Sequence, residues 1–296
     1  MKFPIFWALT AAFALVSSVR ADIVVKDDTG QEVRLKAPAK RIITLAPHAA
    51  ESLFAAGAGD KLVGTVDYSD YPPEAKKVPR VGGYSRIDLE AVAALKPDLV
   101  IAWESGNHTG QIDKLKGLGL TVFVTQPNRM EDVAGQVERY GQMAGTENTA
   151  NTVASNFRKR LDSLRKTNES KAKIRVFYQI WKSPLMTVGG PQIISDAIKL
   201  CGGENVFGQL KQMAPTVSVE AVLETDPEVI VATGMGDAKP EWLCDWDKWT
   251  RMTAVKRNNL FHINPDIMQR HTPRILDGAE KLCAYLDTAR SRRPVK

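Results

Sequence analysis

The chain has 296 residues, of which 44% are apolar and 25% are charged, and its net charge is +6. These fractions are those of a folded globular protein, and the length suffices for two compact units that each bury a core. The Lys and Arg residues are scattered among acidic residues and form no basic stripe, so the composition argues against a nucleic-acid-binding protein.

The first 21 residues have the pattern of a secretory signal peptide. Lys2 precedes an apolar run over residues 3–16, and Ala21 stands at the expected cleavage position before Asp22. The run is short for a membrane-spanning helix, and no later segment reaches the roughly 20 apolar residues that a span requires. We therefore expect a cleaved signal peptide and export to the periplasm; the alternative is an uncleaved N-terminal anchor.

Helices and short apolar strands alternate over residues 22–143. Strands are predicted at residues 23–25, 41–46, 62–66, 99–102 and 120–124, and helices at residues 49–56 and 89–95 and before Gly119. This alternation is typical of a parallel sheet that is covered by helices on both faces. We predict an N-terminal α/β lobe.

The same alternation begins again at residue 170. Strands are predicted at residues 175–180 and 229–232, and a helix at residues 193–200. One segment recurs, because residues 89–102 resemble residues 219–232. The sequence therefore predicts a second, similar α/β lobe over residues 170–296.

Residues 144–169 are predicted to connect the two lobes. No Gly or Pro occurs between positions 146 and 166, and Val153, Phe157 and Leu161 recur at helical spacing. A helix of roughly 20 residues is about 30 Å long, enough to cross the back of both lobes. A single stiff connection makes the cleft between the lobes the expected ligand site.

Three cysteines are present, in a chain that is expected to enter an oxidising compartment. Cys201 ends one apolar helical pattern and Cys283 lies in another, whereas Cys244 lies in an irregular segment rich in tryptophan. A bond between Cys201 and Cys283 is the favoured pairing. The alternative is three separate buried thiols.

Catalytic motifs and metal-ligand spacings are absent from the sequence. There is no Gly-x-Ser-x-Gly elbow, no His-Glu-x-x-His motif and no phosphate-binding loop. His48 and His271 follow predicted strands of different lobes, but neither has a carboxylate at a metal-like spacing. We predict neither enzyme activity nor a cofactor or bare metal site. These two histidines are expected to contact a ligand or its metal, or else to be solvated.

Aromatic residues follow several predicted strands. Tyr68, Tyr84, Trp103 and Trp181 all lie at or beyond strand ends. In a parallel sheet the loops after the strands form the ligand crevice, and aromatic rings there offer large flat contact areas. We predict that these four residues contact the ligand; the alternative is ordinary packing.

Five segments, taken in order, resemble the iron-chelate and cobalamin class of periplasmic binding proteins. They are residues 41–47 (RIITLAP), 68–73 (YSDYPP), 96–103 (KPDLVIAW), 201–207 (CGGENVF) and 272–276 (TPRIL). The resemblance implies two Rossmann-like lobes joined by one rigid helix, with little closure on binding. It also implies a monomer that delivers its ligand to the permease subunits of an ABC importer.

The resemblance implies roles for two further pairs of residues. Glu90 and Glu220 match the glutamates with which the family docks onto arginines of the membrane subunits; the alternative is a helix-start acid favoured by the helix dipole. The family disulfide maps onto Cys201 and Cys283, in agreement with the pairing favoured above.

The ligand implied by the resemblance is a corrinoid such as cobalamin, with haem or an iron-siderophore as the alternative. Asp266 and Arg270 match polar pocket positions of cobalamin-binding members, but Tyr84 stands where those members carry a tryptophan, and Trp181 is expected to replace another aromatic. Tyr84-Ser85-Arg86 is also similar to haem-binding members in which the tyrosine ligates iron. From a different functional class, an exported enzyme acting in the cleft is the alternative.

Overall fold

A computed structural model describes residues 22–234 and 240–294. The predicted signal peptide lies outside these residues. Within them, no helix combines the length and the apolar character needed to cross a membrane.

The strands of the N-terminal lobe, lobe one, are β1 (Ile23–Lys26), β2 (Glu32–Leu35), β3 (Ile42–Thr44), β4 (Leu62–Thr65), β5 (Gly82–Gly83), β6 (Arg86–Ile87), β7 (Leu99–Trp103) and β8 (Val122–Thr125). Four of them form a parallel sheet with the strand order β4-β3-β7-β8. Two short antiparallel pairs, β1-β2 and β5-β6, accompany it. The helices are α1 (Pro47–Ala55), α2 (Leu89–Ala94), α3 (Thr109–Gly117) and α4 (Met130–Ala144).

Both faces of this sheet are buried, as its continuous apolar strands predict. Ile42 and Ile101 pack in the core beneath α1 and α4, whereas their neighbours Ile43 and Val100 pack in the core on the opposite face. Successive side chains of a strand point to opposite faces, so one strand serves both cores. The prediction of a parallel sheet covered on both sides is confirmed.

Lobe two repeats this arrangement with one antiparallel edge. Its described strands are β9 (Ile174–Trp181), β10 (Met186–Thr187), β11 (Gly203–Asn205), β12 (Val229–Ala232) and β13 (Leu260–His262). The first half of β9 pairs with β11 in parallel and its last residues pair with β10 antiparallel, while β12 lies between β9 and β13. The helices are α6 (Ile193–Leu200), α7 (Val219–Thr225), α8 (Thr253–Lys256) and α9 (Ile275–Ser291).

The sequence repeat corresponds to a structural repeat. A helix followed by a strand occurs in each lobe, as α2 and β7 in lobe one and as α7 and β12 in lobe two. Between helix and strand, Lys96 and Asp226 adopt positive φ angles of 44° and 38° at the same place in the unit. A left-handed residue ends the helix, and the Pro that follows it prevents the helix from resuming.

Two helices, not one, extend along both lobes. Helix α5 (Glu147–Asn168) is the predicted connector, and its 22 residues give a length of about 33 Å. Helix α4 packs beside it, with Met130 and Val133 in the core of lobe two but Val137 and Tyr140 in the core of lobe one. The boundary predicted near residue 143 therefore falls at the end of a helix that already serves both cores.

The structure joins Cys201 and Cys283 in a disulfide bond. Cys201 caps the C-terminal end of α6, and Cys283 lies on the buried face of α9. Cys244 is a free, exposed thiol. The bond closes a loop with a sequence separation of 82 residues and ties the last helix to the body of lobe two.

Candidate ligand cleft

A cavity of 390 Å³ lies between the lobes, at the carboxyl ends of their strands. Lobe one contributes Trp103, at the end of β7, and Ser105; lobe two contributes Trp181, at the end of β9, together with Gln192 and His271. Parallel α/β sheets bind ligands at this edge because the backbone diverges there into loops. We take this cavity as the candidate ligand cleft.

A larger depression of 980 Å³ lies elsewhere, on the side of lobe two formed by α6 and β11. Its lining includes Arg129, Lys199 and Glu204 but no aromatic side chain. It is open to solvent and is contributed largely by one lobe. Size alone therefore does not identify the site, and the aromatic cleft is the better candidate for a large flat ligand.

Three of the four predicted aromatic residues meet at the cleft. Trp103 and Trp181 line it, and the ring of Tyr84 lies 5.9 Å from that of Trp103. Tyr84 is 42% exposed and Trp181 is 45% exposed, so large apolar surface faces solvent here. Tyr68 is 70% exposed on the loop after β4 and does not line the cavity.

Asn107 positions this aromatic wall, although no feature of the sequence points to its role. Its amide nitrogen donates to the backbone oxygens of Leu45 and Tyr84, and its Oδ1 accepts from Trp103 N. One buried amide thus fixes three segments of lobe one. Such a role depends on contacts between residues up to 62 positions apart, which no local motif reveals.

His48 and His271 meet across the interface between the lobes. Their ring centroids are 5.4 Å apart, and His48 packs edge-on against Trp103 at 5.0 Å. Both side chains are buried, so the alternative of solvated loop histidines is wrong. His48 is the second residue of α1 and His271 precedes α9, so each lobe supplies one imidazole.

Both imidazoles are held in the neutral form. Burial, followed by the charges of His271 and Arg270, lowers the pKa of His48 well below its ordinary value. Burial lowers the pKa of His271 to about 4. Gln192 uses its Oε1 to cap α6, so its amide nitrogen donates to His271 Nε2 and leaves the proton on Nδ1. Among the described residues, His48 Nε2 and His271 Nδ1 have no hydrogen-bond partner.

Asp266 and Arg270 are already paired in the structure. Arg270 Nη2 lies 3.0 Å from Asp266 Oδ1, and Arg270 Nη1 lies 2.6 Å from Asp70 Oδ1 of lobe one. Asp70 is only partly buried, and although desolvation opposes the shift, its hydrogen bond and ion pair with Arg270 lower the pKa of its carboxyl group. Asp266 remains 42% exposed in its side chain, whereas that of Arg270 is 13% exposed. A ligand would therefore meet Asp266 more readily than Arg270.

A buried carboxylate that the sequence did not indicate lies beside this pair. Glu51 of α1 is 3% exposed and binds Thr272 and Arg274 of lobe two. The guanidinium of Arg274 also stacks 3.5 Å above the ring of Tyr71. The one signal in the sequence was an acidic residue within the otherwise small and apolar run of α1, at residues 49–53.

Glu90 and Glu220 occupy equivalent, exposed positions. Each is the second residue of its helix, α2 or α7, and each follows an N-cap, Asp88 or Ser218, whose side chain accepts a backbone N–H of the first turn. Neither glutamate forms a salt bridge with another residue in the described part of the chain. Both carboxylates are free to meet a basic partner.

A match to a known protein family agrees with the fold, the position of the cleft and the repeat. The model described as "Periplasmic binding protein" matches residues 42–267. The chain belongs to the periplasmic binding protein family. This result confirms, at the level of the family, the resemblance drawn from the five segments.

Two relatives of this family member are identical to it at more than a third of the aligned residues. It is 38% identical over 256 residues to the vitamin B12-binding protein of Vibrio cholerae. The alignment covers 86% of this chain and 92% of that protein. It is 35% identical over 248 residues to the vitamin B12-binding protein of Yersinia pestis, with 84% and 86% covered.

Two solved structures superpose on the chain. The crystal structure of the periplasmic vitamin B12 binding protein BtuF of Vibrio cholerae matches with a TM-score of 0.80 and 37% identity, over 86% of this chain and 98% of that one. The periplasmic heme-binding protein BhuT matches with a TM-score of 0.73 but 20% identity, over 86% and 99%. The second likeness shows the fold alone.

Proposed function

We propose that this periplasmic binding protein captures a corrinoid, cobalamin in the first place, between its lobes and passes it to the membrane subunits of an ABC importer. The observation that carries the proposal is the 38% identity to a protein named for vitamin B12 binding, over 92% of that protein's length. The tryptophan-lined cleft supports it, because each lobe contributes one tryptophan, Trp103 or Trp181, to the lining.

The chemistry of the cleft suits a flat, amphipathic macrocycle. Trp103, Trp181 and Tyr84 offer broad apolar faces, and aromatic contacts of this kind carry much of the binding energy at such sites. Gln192 and Gln269 add polar groups to the lining. A cavity of 390 Å³ is at the small end of ligand sites, so a corrinoid would keep one edge in solvent.

The test is titration calorimetry of the purified protein with cyanocobalamin, haemin and a ferric siderophore. We expect one cyanocobalamin to bind per chain. Trp181→Ala should weaken binding about tenfold, because it removes an exposed aromatic face of the cleft. Leu118→Ala is the matched control, since Leu118 is a large exposed apolar residue at the end of α3 and does not line the cavity.

Haem is the competing ligand, and one observation favours it. Tyr84 offers an exposed phenol beside Trp103, and a phenolate is a known type of haem ligand. Haemin binding with a tyrosinate-type spectrum that Tyr84→Ala abolishes, together with no heat from cyanocobalamin, would replace the corrinoid proposal. Turnover of any of these ligands would instead favour an enzyme.

Four further features belong to this proposal. The protein releases its ligand chemically unchanged, residues 1–21 are removed on export to the periplasm, and the mature chain works as a monomer. The lobes are residues 22–143 and 170–296, joined by residues 144–169. Mass spectrometry of the exported protein tests the cleavage site directly.

A further inference from the structure

The two lobes meet at a buried charged contact beside the ligand cleft, which we name the interlobe clasp. It consists of Glu51 on α1 of lobe one and Thr272 and Arg274 of lobe two. Glu51 Oε1 accepts hydrogen bonds from Thr272 Oγ1 at 2.7 Å and from Arg274 Nε at 2.6 Å, and Glu51 Oε2 accepts from Arg274 Nη2 at 2.6 Å. Both carboxylate oxygens are thus engaged, in the two-pronged geometry that favours Arg–carboxylate pairs.

All of the side-chain partners of Glu51 in the described residues belong to the opposite lobe. They lie 221 and 223 positions away in the chain, and Arg270 Nη1 is a further lobe-two cation, 3.9 Å from Glu51 Oε2. A carboxylate with 3% of its surface exposed is costly unless it is paired. Glu51 is therefore stable in place only while lobe two is docked against α1.

The clasp also fixes the segment that carries the cleft residues of lobe two. Thr272 and Arg274 lie just after two other residues of lobe two, Arg270 and His271. His271 lines the cavity, and Arg270 binds Asp70 across the interface. Within the segment, the backbone N–H of Thr272 donates to Arg270 O, which links Arg270 directly to the clasp residue Thr272. Anchoring its end at Glu51 sets where Arg270 and His271 stand.

We infer that Glu51 is a positioning residue that fixes the spacing of the two lobes beside the cleft and holds residues 270–274 in the conformation that receives the ligand. The part of this inference that concerns the ligand rests on the proposed function. The part that concerns the spacing of the lobes does not.

The chain offers a matched control in Glu228. Its carboxylate accepts from Arg293 Nε and Nη2, both at 2.8 Å, and lies 3.1 Å from Arg257, so it repeats the arginine chemistry of the clasp. Glu228 immediately precedes β12, and both arginines belong to lobe two. Removing its charge disturbs the same kind of pair without touching the contact between the lobes.

The first experiment needs no ligand. Hydrogen–deuterium exchange is measured on the purified wild-type protein and on Glu51→Gln, Arg274→Gln and Glu228→Gln. We expect both clasp variants to exchange faster in α1 of lobe one and in residues 270–277 of lobe two together. Glu228→Gln should accelerate exchange in lobe two alone, around the starts of β9 and β12. Faster exchange in only one lobe for both clasp variants would overturn the inference.

The second experiment measures the dissociation constant for cyanocobalamin. Glu51→Gln and Arg274→Gln should each raise it at least tenfold, and the double variant should lose less than the two single losses combined, because the second change removes an already unpaired partner. Glu228→Gln should stay within twofold of the wild type. Additive losses would indicate two independent structural effects and would contradict a shared positioning role.

The two proposals can fail separately. If the wild-type protein does not bind cyanocobalamin, the proposed function fails, while the exchange pattern still decides whether Glu51 couples the lobes. If the wild type binds and Glu51→Gln binds within twofold of it, the positioning role is wrong and the proposed function stands.

Discussion

The two buried histidines at the interface between the lobes, His48 and His271, make the stability of the protein depend on pH. The folded-state pKa of His271 is about 4, and that of His48 is also lowered, whereas an unfolded histidine titrates near 6.5. Protons therefore bind more tightly to the two histidines in the unfolded chain than in the folded one. The stability that the neutral histidines give the folded state is complete above pH 6.5 and is lost as the pH falls towards 4. Two positive groups further oppose the protonation of His48: the charge of Arg270 and the N-terminal end of the α1 dipole.

We predict that acid weakens the native state through this pair. The gap between about 4 and 6.5 for His271 corresponds to roughly 3 kcal/mol once the pH is below both values. Thermal unfolding measured from pH 7.5 to pH 4 should show a falling Tm, and His271→Gln should flatten the fall. His108→Gln is the control, because His108 is exposed at the start of α3. Equal slopes in both variants would contradict the assignment.

At the residue scale, sequence reasoning found the groups that follow strands and missed those that depend on contact between the lobes. Trp103 and Trp181 were predicted because the ends of parallel strands meet at one edge. Glu51 and Arg274 were missed because their contact joins residues 223 positions apart. Predicting Arg270 as a ligand contact overlooked Asp70, which already occupies one side of its guanidinium.

At the element scale, periodicity located the central strands and most helices of the described residues, but it missed α4 and α8. Trp242, Trp246 and Trp249 lie in the tryptophan-rich segment around Cys244, which the sequence marks as irregular. The structure has a 3₁₀ helix over Glu241–Trp246, and Trp246 is buried with its Nε1 donating to Gln179 Oε1. The acceptor lies 67 positions away in the chain, and a hydrophobic pattern does not encode such a contact.

The disulfide gives a prediction at the same scale. The bond between Cys201 and Cys283 ties the end of α6 to α9 and closes a long loop. Replacing both residues by Ala should lower the free energy of unfolding by about 2–4 kcal/mol in urea, because the unfolded chain regains conformational freedom. Cys244→Ser should leave it nearly unchanged, since that thiol is exposed and free. Non-reducing peptide maps that link Cys244 to either partner would contradict the pairing.

At the scale of the whole molecule, the back of the protein is built to resist bending between the lobes. Helices α4 and α5 pack along each other, and each contributes side chains to the cores of both lobes. Arg160 of α5 adds a salt bridge to Asp277 and another to Glu280 on α9. With the interlobe clasp on the cleft side, the lobes are joined on two sides, which is the physical basis for expecting little closure on binding.

A stiff molecule carries its surface charges at a fixed separation, and this leads to the prediction for transport. Glu90 and Glu220 are exposed, have equivalent positions in the repeat and lie one on each lobe, so two equivalent basic partners would engage both at once. Reversing both charges, with Glu90→Lys and Glu220→Lys, should abolish uptake of labelled cyanocobalamin through the reconstituted importer. Its dissociation constant for the purified protein should stay within twofold, because neither residue lines the cleft.

Single reversals should each retain part of the uptake, since one of the two contacts survives. Reversal of Glu74 and Glu204, two other exposed acids, one on each lobe, changes the net charge equally and is the control. If that control abolishes uptake as well, the effect is one of net charge and not of position. If the Glu90 and Glu220 variant loses affinity for cyanocobalamin in proportion to uptake, these glutamates act in ligand binding. Loss of uptake with unchanged affinity, specific to this pair, is the outcome that the fixed geometry of the two lobes requires.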